Sequence, residues 1–286
     1  MFHTAASPEF RLPDTALDHL DPDLQPYLGL HGSKEAVHPD LGACFICEGR
    51  YLVEEAIQAH RAGLLKVLSV LTTPAASEEL SKTLPGGVKS LAVEKPLLER
   101  LLGFAFHRGL LCCVARPQDP EEATLLAARR LVVVPRLDNV DNLGQILRTA
   151  TALGLDAVLA GPGPGPFDRR TVRVSMGAAW KIPVLQMDDP AALLRRWRTW
   201  EPELPTEIIG AALVDGAIEA RQWQPCPRTA LVLGPEDLGL DAGWLELCDR
   251  HVRIDMARGV DSLNVAAAGA ILMHRMADPG IQTTHE

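Results

Sequence analysis

Residues 131–154, LVVVPRLDNVDNLGQILRTATALG, join an uninterrupted apolar run to a segment with a helical period. The run LVVVP is rich in β-branched residues, as in strands of a parallel sheet that is buried on both faces. The apolar face of the following segment comprises Leu143, Ile146, Leu147, Ala150 and Leu153. Asp141 or Asn142 is a suitable N-cap for this helix, and Gly154 is suited to end it. A buried strand followed by a helix predicts an α/β domain that begins at residue 131.

The same alternation extends on both sides of this segment. Downstream, the predicted strands are residues 157–159, 182–185, 207–211, 230–233 and 252–255, and a last helix runs over residues 262–276. Upstream, a shorter alternation has predicted strands at residues 43–48, 65–71, 88–93 and 110–115. The sequence therefore predicts an α/β protein in four parts: an N-terminal arm with a short helix at most at 1–40, a small α/β domain at 41–117, a linker with a short helix at 118–130, and a larger α/β domain at 131–286.

The composition excludes several classes of protein. With 286 residues and 47% hydrophobic residues, the chain has enough apolar mass for a core, and it lacks an apolar run long enough to cross a membrane. The N-terminus has no secretory signal pattern, and six cysteines are too few for a disulfide scaffold, so we expect a cytoplasmic protein. Cys44 and Cys47 have the spacing of half a zinc site, but no second pair matches it, so we expect no metal.

The net charge of -9 excludes a protein that coats nucleic acid electrostatically. The acidic excess is larger before residue 125, with 11 basic and 17 acidic residues, than after it, with 17 and 20. One stretch departs from this balance. Positions 167–181 contain only one acidic residue but four basic residues, namely Arg169, Arg170, Arg173 and Lys181. This stretch is either a phosphate-binding patch or a solvated surface.

Three segments of the second half carry candidate functional residues. Arg148 lies in the middle of the helix after LVVVP, where a plain surface arginine is the alternative. In LVLGPEDLGL, residues 231–240, a buried strand leads into Gly234 and Glu236, at the strand end where α/β sheets bind ligands. A tight turn would explain the glycine but not the carboxylate. In residues 252–274, Ser262 is the expected cap of a helix of small residues, and Asn264 in its first turn suggests a side-chain contact.

Taken in this order, the three segments resemble the SpoU–TrmH family of SPOUT RNA 2′-O-ribose methyltransferases. The residues that match its three motifs are Asn142, Gly144 and Arg148; Gly234, Glu236 and Gly239; and Ile254, Gly259, Ser262, Leu263 and Asn264. A further match is the group Arg173, Ser175, Gly177 and Ala178. Residues 45–49 and 106–109 resemble the ends of the family's substrate-binding domain, which is similar to ribosomal protein L30e.

The resemblance implies a C-terminal SPOUT α/β domain with a deep trefoil knot, preceded by a small L30e-like RNA substrate-binding domain. It implies S-adenosylmethionine as the cofactor, ribosomal or transfer RNA as the substrate, and a homodimer through the C-terminal domain. The reaction would transfer a methyl group to a ribose 2′-hydroxyl. Because such a methyl group is already activated, positioning would supply most of the rate.

The resemblance also assigns roles to residues. Arg148 would be catalytic, and we favour electrostatic stabilisation over general base catalysis because a guanidinium stays charged. The other members of the catalytic group would be Asn142, Glu236, Ser262 and Asn264. The cofactor would be held by Gly234, Ile254 and Leu263, with the loop after Gly210, and the RNA by Arg169, Arg170 and Arg173. Asp237 and Asp255 stand where the family usually has glycine and proline.

Two alternatives belong to other classes. One is a catalytically inactive RNA-binding or ribosome-assembly protein that keeps the SPOUT fold, and retention of Arg148, Glu236, Ser262 and Asn264 speaks against it. The other is a nicotinamide-dependent oxidoreductase, which requires a glycine fingerprint after an early strand, and the sequence has none.

Overall fold

The structure is a computed structural model that describes residues 21–30, 36–81, 83–106, 109–235 and 238–277. These residues form an α/β protein of two compact units, which divide after Pro117; residues 167–169 group with the first unit. The strands are β1 Ala36–His38, β2 Gly42–Glu48, β3 Lys66–Thr72, β4 Lys89–Ala92, β5 Leu110–Ala115, β6 Arg130–Val134, β7 Ala157–Ala160, β8 Val184–Gln186, β9 Thr206–Ala211, β10 Ile218–Glu219, β11 Arg228–Leu233 and β12 Arg250–Arg253. The α-helices are α1 Arg50–Arg61, α2 Pro74–Ser81, α3 Lys95–Leu102, α4 Glu122–Leu126, α5 Val140–Ala152, α6 Arg169–Ser175, α7 Pro190–Trp200, α8 Ala242–Leu247 and α9 Val265–Met276.

The first unit contains a five-stranded sheet in the order β1-β2-β5-β3-β4. All of its pairs are antiparallel except the parallel pair of β3 and β4. The four strands predicted from residues 43–115 are present, with ends that agree within one residue. The two central strands β2 and β5 are almost completely buried, which explains why their sequences are apolar runs that include four cysteines.

Two short elements within the predicted arm, at residues 22–27 and 36–38, belong to the first unit. A 3₁₀-helix at Pro22–Tyr27 packs into the first unit, where Tyr27 is fully buried and its hydroxyl donates to the Ser69 carbonyl over 3.0 Å. Strand β1 pairs with β2 at the edge of the sheet. The 3₁₀-helix fits the one short helix that the arm was expected to allow, whereas strand β1, with three residues, is too short to produce a sequence period. The rest of the predicted arm, residues 1–20 and 31–35, lies outside the described residues.

The second unit is built on a seven-stranded parallel sheet in the order β10-β12-β9-β11-β6-β7-β8. All six strands predicted for this region are present, and the two-residue strand β10 was not predicted. The interior strands β6 and β11 are buried throughout or nearly so, as the run LVVVP indicates. Strand β12 ends at Arg253, two residues before the predicted end, so Ile254 lies in the loop that follows.

The Gly-Pro run at 161–166 lies against the backbone that follows β6. A Cβ atom at Gly161 would lie 1.8 Å from the Pro135 carbonyl oxygen, and one at Gly163 would lie 2.2 Å from that of Leu137. Only glycine allows two backbone segments to approach this closely. The side-chain amide of Gln186 lies 3.2 Å from the carbonyl oxygens of Gly161 and Gly163. These contacts hold the loop in place just before α6.

Within the described ranges, no helix combines the length and apolar character needed to cross a bilayer.

Candidate active site

The candidate site lies at the carboxyl ends of three neighbouring parallel strands, β9, β11 and β12. The loops after these strands and the segment before α9 line a cavity of about 400 Å³. Open α/β sheets bind ligands at this edge, and the volume lies within the range of small-molecule sites. The cavity includes all three residues predicted to hold the cofactor, namely Gly234, Ile254 and Leu263. Ser262 and the loop residues 211–214 after Gly210 line it as well.

Gly234 allows the loop after β11 to fold back on itself. A Cβ atom at this position would lie 2.7 Å from the carbonyl carbon of Gly239 and 2.8 Å from the backbone nitrogen of Leu240. The loop closes through a hydrogen bond of 3.0 Å from the Gly239 amide to the Pro235 carbonyl, and Gly239 has a φ of 64°. The motif therefore needs both glycines for the shape of the loop. Glu236 and Asp237 lie outside the described residues.

The chemistry of the lining fits S-adenosylmethionine. Among the described lining residues only Arg253 is charged, and most of the others are aliphatic, as the adenine ring requires. Ser262 is the only other polar side chain that the described residues contribute to the lining, so backbone amides and carbonyls of the loops would supply most of the hydrogen bonds that these residues offer a ligand. This agrees with the predicted role of Gly234, Ile254 and Leu263, which offer no polar side-chain atoms.

An asparagine pair connects the first motif to the third. The Asn264 Nδ2 donates to the Asn142 Oδ1 over 3.0 Å, although the two residues are 122 positions apart. Asn142 is 2% exposed, so this bond satisfies a polar group that burial would otherwise penalise. The contact explains why an asparagine stands before α9, as its residue type suggested.

Asn264, and not Ser262, is the N-cap of α9. Its Oδ1 accepts from the backbone amides of Ala266 and Ala267 over 3.0 and 3.2 Å. The prediction that Ser262 caps this helix was wrong, because the helix begins at Val265, three residues later than expected. Ser262 is instead exposed beside the cavity.

Helix α5 carries the candidate catalytic arginine on an exposed position. The helix begins at Val140 with Asn139 as its N-cap, so neither Asp141 nor Asn142 caps it. Gly144 packs tightly against α6, where an added Cβ atom would lie 2.7 Å from the Val174 Cβ. Arg148, one turn further on, is exposed and has no hydrogen bond or ion pair within the described part of the chain. It does not line the cavity.

The predicted RNA-binding arginines have different surroundings. Arg169 is mostly buried and donates to the Glu48 Oε2 over 2.9 Å within the first unit. Arg170 forms two hydrogen bonds, of 2.7 and 2.5 Å, with the two carboxylate oxygens of Asp141. These bonds hold the pKa of Asp141 below its usual range. Arg173 is partly exposed on the same helix.

Asp255, one of the two departures from the family pattern, is neutralised by a neighbour. The Arg253 Nε donates to its Oδ1 over 2.8 Å, and the same guanidinium also donates to the Ala217 carbonyl. The negative charge that Asp255 introduces is therefore paired at the cavity edge. Arg253 is the last residue of β12, and no motif of the sequence marks it.

Among the described residues, no group of three or more histidine, cysteine, aspartate or glutamate side chains is placed to hold a metal ion. The six cysteines are free thiols. Burial raises the pKa of the Cys248 thiol to about 12, so this side chain behaves as a small apolar group at neutral pH.

Comparison with known proteins agrees with this geometry. A family model described as the SpoU rRNA methylase family matches residues 129–274. A protein of Mycobacterium tuberculosis, named as an uncharacterized tRNA/rRNA methyltransferase, is 34% identical over 91% of this chain and 90% of its own length. The 23S rRNA guanosine 2′-O-methyltransferase RlmP of Bacillus subtilis is 28% identical over 86% of this chain and 92% of its own.

Solved structures share the fold along most of the chain. A crystal structure described as an RNA 2′-O ribose methyltransferase is 26% identical, with a TM-score of 0.65 over 82% of this chain and 87% of that one. The SpoU methyltransferase AviRb from Streptomyces viridochromogenes, crystallised with the cofactor AdoMet, has a TM-score of 0.72 over 89% of this chain and 96% of that one. Its 22% identity supports the fold alone.

The fold, the site and these relatives define an α/β RNA methyltransferase. The family model covers half of the chain, and the mycobacterial relative matches nearly all of it. The chain belongs to the SpoU rRNA methylase family, as its three motifs predict.

Proposed function

We propose that this protein transfers the methyl group of S-adenosylmethionine to a ribose 2′-hydroxyl of ribosomal RNA. The observation that carries the proposal is the cavity at the carboxyl ends of β9, β11 and β12, together with the Asn264–Asn142 bond that ties it to α5. The relatives support the ribose and ribosomal assignments, because RlmP is named as a 23S rRNA 2′-O-methyltransferase.

The residues of the cavity would hold and orient the cofactor, and they would not need to activate its methyl group. When bound, S-adenosylmethionine supplies a methyl group on a positively charged sulfur, which needs no further activation. The backbone near Gly234, Ile254 and Leu263 would hold adenine and ribose, and the aliphatic lining would exclude water around them. Ser262 lines the cavity, and its hydroxyl would orient the ribose of the substrate.

Arg148 would act on the 2′-hydroxyl of the RNA. Its guanidinium stays protonated at neutral pH, so it would stabilise the developing alkoxide and contact a phosphate. Its exposure and lack of a partner in the described structure support this role, because a charge already paired would be less available to the substrate. Asn142, with its oxygen bonded to Asn264, would position α5 and thereby Arg148. Glu236 remains a proposed member of this group.

The partners of the reaction belong to the same proposal. Arg173 would contact RNA phosphates, joined by Arg170 and Arg169, whose pairs with Asp141 and Glu48 would set their orientation. The first unit would be an L30e-like domain that selects the RNA, and the second would contain a deep trefoil knot. The exposed leucines on the cavity rim, Leu238 among them, suit a homodimer interface. The enzyme would work in the cytoplasm.

The test is a map of ribose methylation over total RNA, from cells with and without the gene. We expect one 2′-O-methylated nucleotide of ribosomal RNA to lose its methyl group in the deletion. The purified protein should restore it with S-adenosylmethionine labelled in the methyl group. A methyl group on a base would contradict the proposal, and a methylated transfer RNA would reassign its substrate.

The competing function is an inactive RNA-binding or ribosome-assembly protein. This alternative predicts that the cavity no longer binds S-adenosylmethionine. Binding of the labelled cofactor to the purified protein therefore distinguishes the alternative from the methyltransferase. We expect saturable binding to one site per chain. RNA binding without cofactor binding or methyl transfer would favour the alternative.

A further inference from the structure

A second cavity, of about 300 Å³, lies in the first unit between α1 and α2. Its residues on α1 are Arg50, Val53, Glu54, Ile57, Gln58 and Arg61. Their spacing of three and four positions marks one continuous stripe along the helix. The opposite wall comes from α2 and the residues after it, and Leu110 closes the floor. The cavity is therefore a groove that follows α1 along its whole length.

The groove combines an apolar floor with charged ends. Ile57 and the partly exposed Ala76 and Leu80 of α2 form the apolar floor, above the buried Val53 and Leu110. Arg50 and Arg61 are exposed at opposite ends of α1. These two arginines are eleven residues apart, which corresponds to about 16 Å along a helix axis. The ends of the groove can each hold one anionic group, while the middle favours a flat apolar group.

Both arginines keep donors for a ligand. Arg61 donates from one nitrogen to the Thr83 carbonyl over 2.6 Å, which fixes its position and leaves the other N–H groups of the guanidinium. Arg50 lies 3.5 Å from Glu54 in an exposed pair, a weak interaction that a phosphate can replace. In the middle, the side chains of Glu54 and Gln58 offer acceptors and a donor to the edge of a base.

We propose that this groove binds an unpaired stretch of the substrate RNA, with a base on the apolar floor and phosphates at Arg50 and Arg61. The proposal rests on the proposed function, since it names the part of the protein that selects the RNA. Charge complementarity favours RNA, because the described lining carries two arginines and one acidic residue in a protein of net charge -9. Unstacked bases are the usual target of sequence-specific RNA recognition.

The experiment measures binding of a fluorescent single-stranded RNA of mixed sequence to the full chain, between about 50 and 200 mM salt. The double variant Arg50→Gln with Arg61→Gln should bind about tenfold more weakly. Its plot of log affinity against log salt should lose about 1.4 of its slope, the value for two phosphate contacts on a single strand. A matched control, Lys66→Gln with Arg100→Gln, removes the same charge from the same unit outside the groove and should retain wild-type slope.

A second variant tests the contact with the base separately from the contacts with the phosphates. Ala76→Trp places a large ring in the groove without changing charge, so affinity should fall while the salt slope stays at its wild-type value. Circular dichroism and binding of S-adenosylmethionine, which uses the other unit, check that each variant is folded. Because RNA binding is measured without turnover, the result is independent of whether methyl transfer occurs.

Equal losses in the groove variants and the control would overturn the proposal, as would equal competition by a duplex of the same sequence. Unchanged RNA affinity in both groove variants would also overturn it. A groove variant that binds RNA weakly but still binds S-adenosylmethionine supports the proposal even if no RNA is methylated.

Discussion

At the scale of single residues, both the oxygen and the nitrogen of the Asn264 side-chain amide form hydrogen bonds. The oxygen caps α9, and the nitrogen donates to the buried Asn142. The cap of α9 and the hydrogen bond to Asn142 together therefore require an asparagine here, whether or not its side chain also takes part in the reaction. A serine could form the cap but not the hydrogen bond, because it is too short to reach a residue on another helix while it caps α9.

We predict that Asn264→Ala lowers the free energy of unfolding by about 2 kcal/mol, through loss of the cap and of the partner of a buried amide. Asn264→Ser should restore about half of that loss, since it restores only the cap. Urea unfolding measures both. Ser262→Ala is the control, because Ser262 does not cap the helix. A loss in Ser262→Ala as large as that in Asn264→Ala would show that the cap is assigned to the wrong residue.

Arg148→Ala should reduce the rate of methyl transfer at least about 100-fold, the effect of removing one donor that stabilises a developing oxyanion. Binding of S-adenosylmethionine, followed by calorimetry, should be unchanged, since Arg148 does not line the cavity. Arg195→Ala, an exposed arginine on α7, is the matched control. Near-normal turnover of Arg148→Ala would remove this residue from the mechanism.

At the scale of elements, the loop after β11 depends on the close approach of its own backbone. Gly234→Ala would place a Cβ atom against backbone atoms of Gly239 and Leu240, which cannot move away as a side chain can. We expect the Kd for S-adenosylmethionine to rise at least about tenfold, or 1.4 kcal/mol. Gly86→Ala is the control, because an added Cβ there meets no atom within 4 Å. Wild-type affinity in Gly234→Ala would mean that the loop does not shape the cofactor site.

The Asp141–Arg170 pair links α5 to α6 and makes their packing sensitive to acid. Because Arg170 lowers the pKa of Asp141 in the folded state, the pair stabilises the fold at pH values above the ordinary carboxyl pKa of about 4. That stability is lost as the pH falls through the lowered pKa. Asp141→Asn should therefore have a lower urea midpoint than wild type at pH 7, and the two should converge towards pH 3.

The control for this pair is Asp215→Asn, which removes an exposed carboxylate without an ion pair in the described structure. Its midpoints should follow those of the wild type at every pH. A difference between Asp141→Asn and wild type that stays constant with pH would exclude the charge of Asp141 as its cause.

The elements show which features a sequence can reveal. The parallel strands of the second unit were predictable because burial on both faces demands continuous apolar residues, as in β6 and β11. Strands β1 and β10 were not, since two or three residues contain no period. The start of α9 was misplaced because Ser262 and Asn264 are both good caps, and the contact with Asn142 selects between them.

At the scale of the whole molecule, the net charge of -9 limits how the protein can bind RNA. Pairing removes further positive charge, since Arg169 and Arg170 already have carboxylate partners. Six arginines are proposed to contact RNA phosphates, but Arg169 and Arg170 stay paired with carboxylates and neutralise little phosphate charge. We therefore predict that log affinity falls with log salt with a slope smaller in magnitude than about 4 for single-stranded RNA. Titrations at several salt concentrations measure it. A steeper slope would show that bulk electrostatics dominates binding.

The motifs predicted the family from residue types at fixed spacings, and five of the residues that they mark line the cavity, namely Gly234, Gly239, Ile254, Ser262 and Leu263. The partners of these residues could not be read from the sequence. Glu48 is 121 positions from Arg169, and Asn142 is 122 positions from Asn264. Side-chain pairs at such separations depend on the tertiary fold and leave no local pattern.

The bond between Asn142 and Asn264 also has a consequence for synthesis of the protein. A chain that leaves the ribosome from its N-terminus exposes Asn142 well before Asn264, at about 5–20 residues per second. During that interval α5 is complete, but the cavity lacks the segment that joins it to α9. The cavity is complete only after the residues of α9 that line it, up to Leu272, have emerged, so the nascent chain contains α5 with Arg148 before it has this cavity.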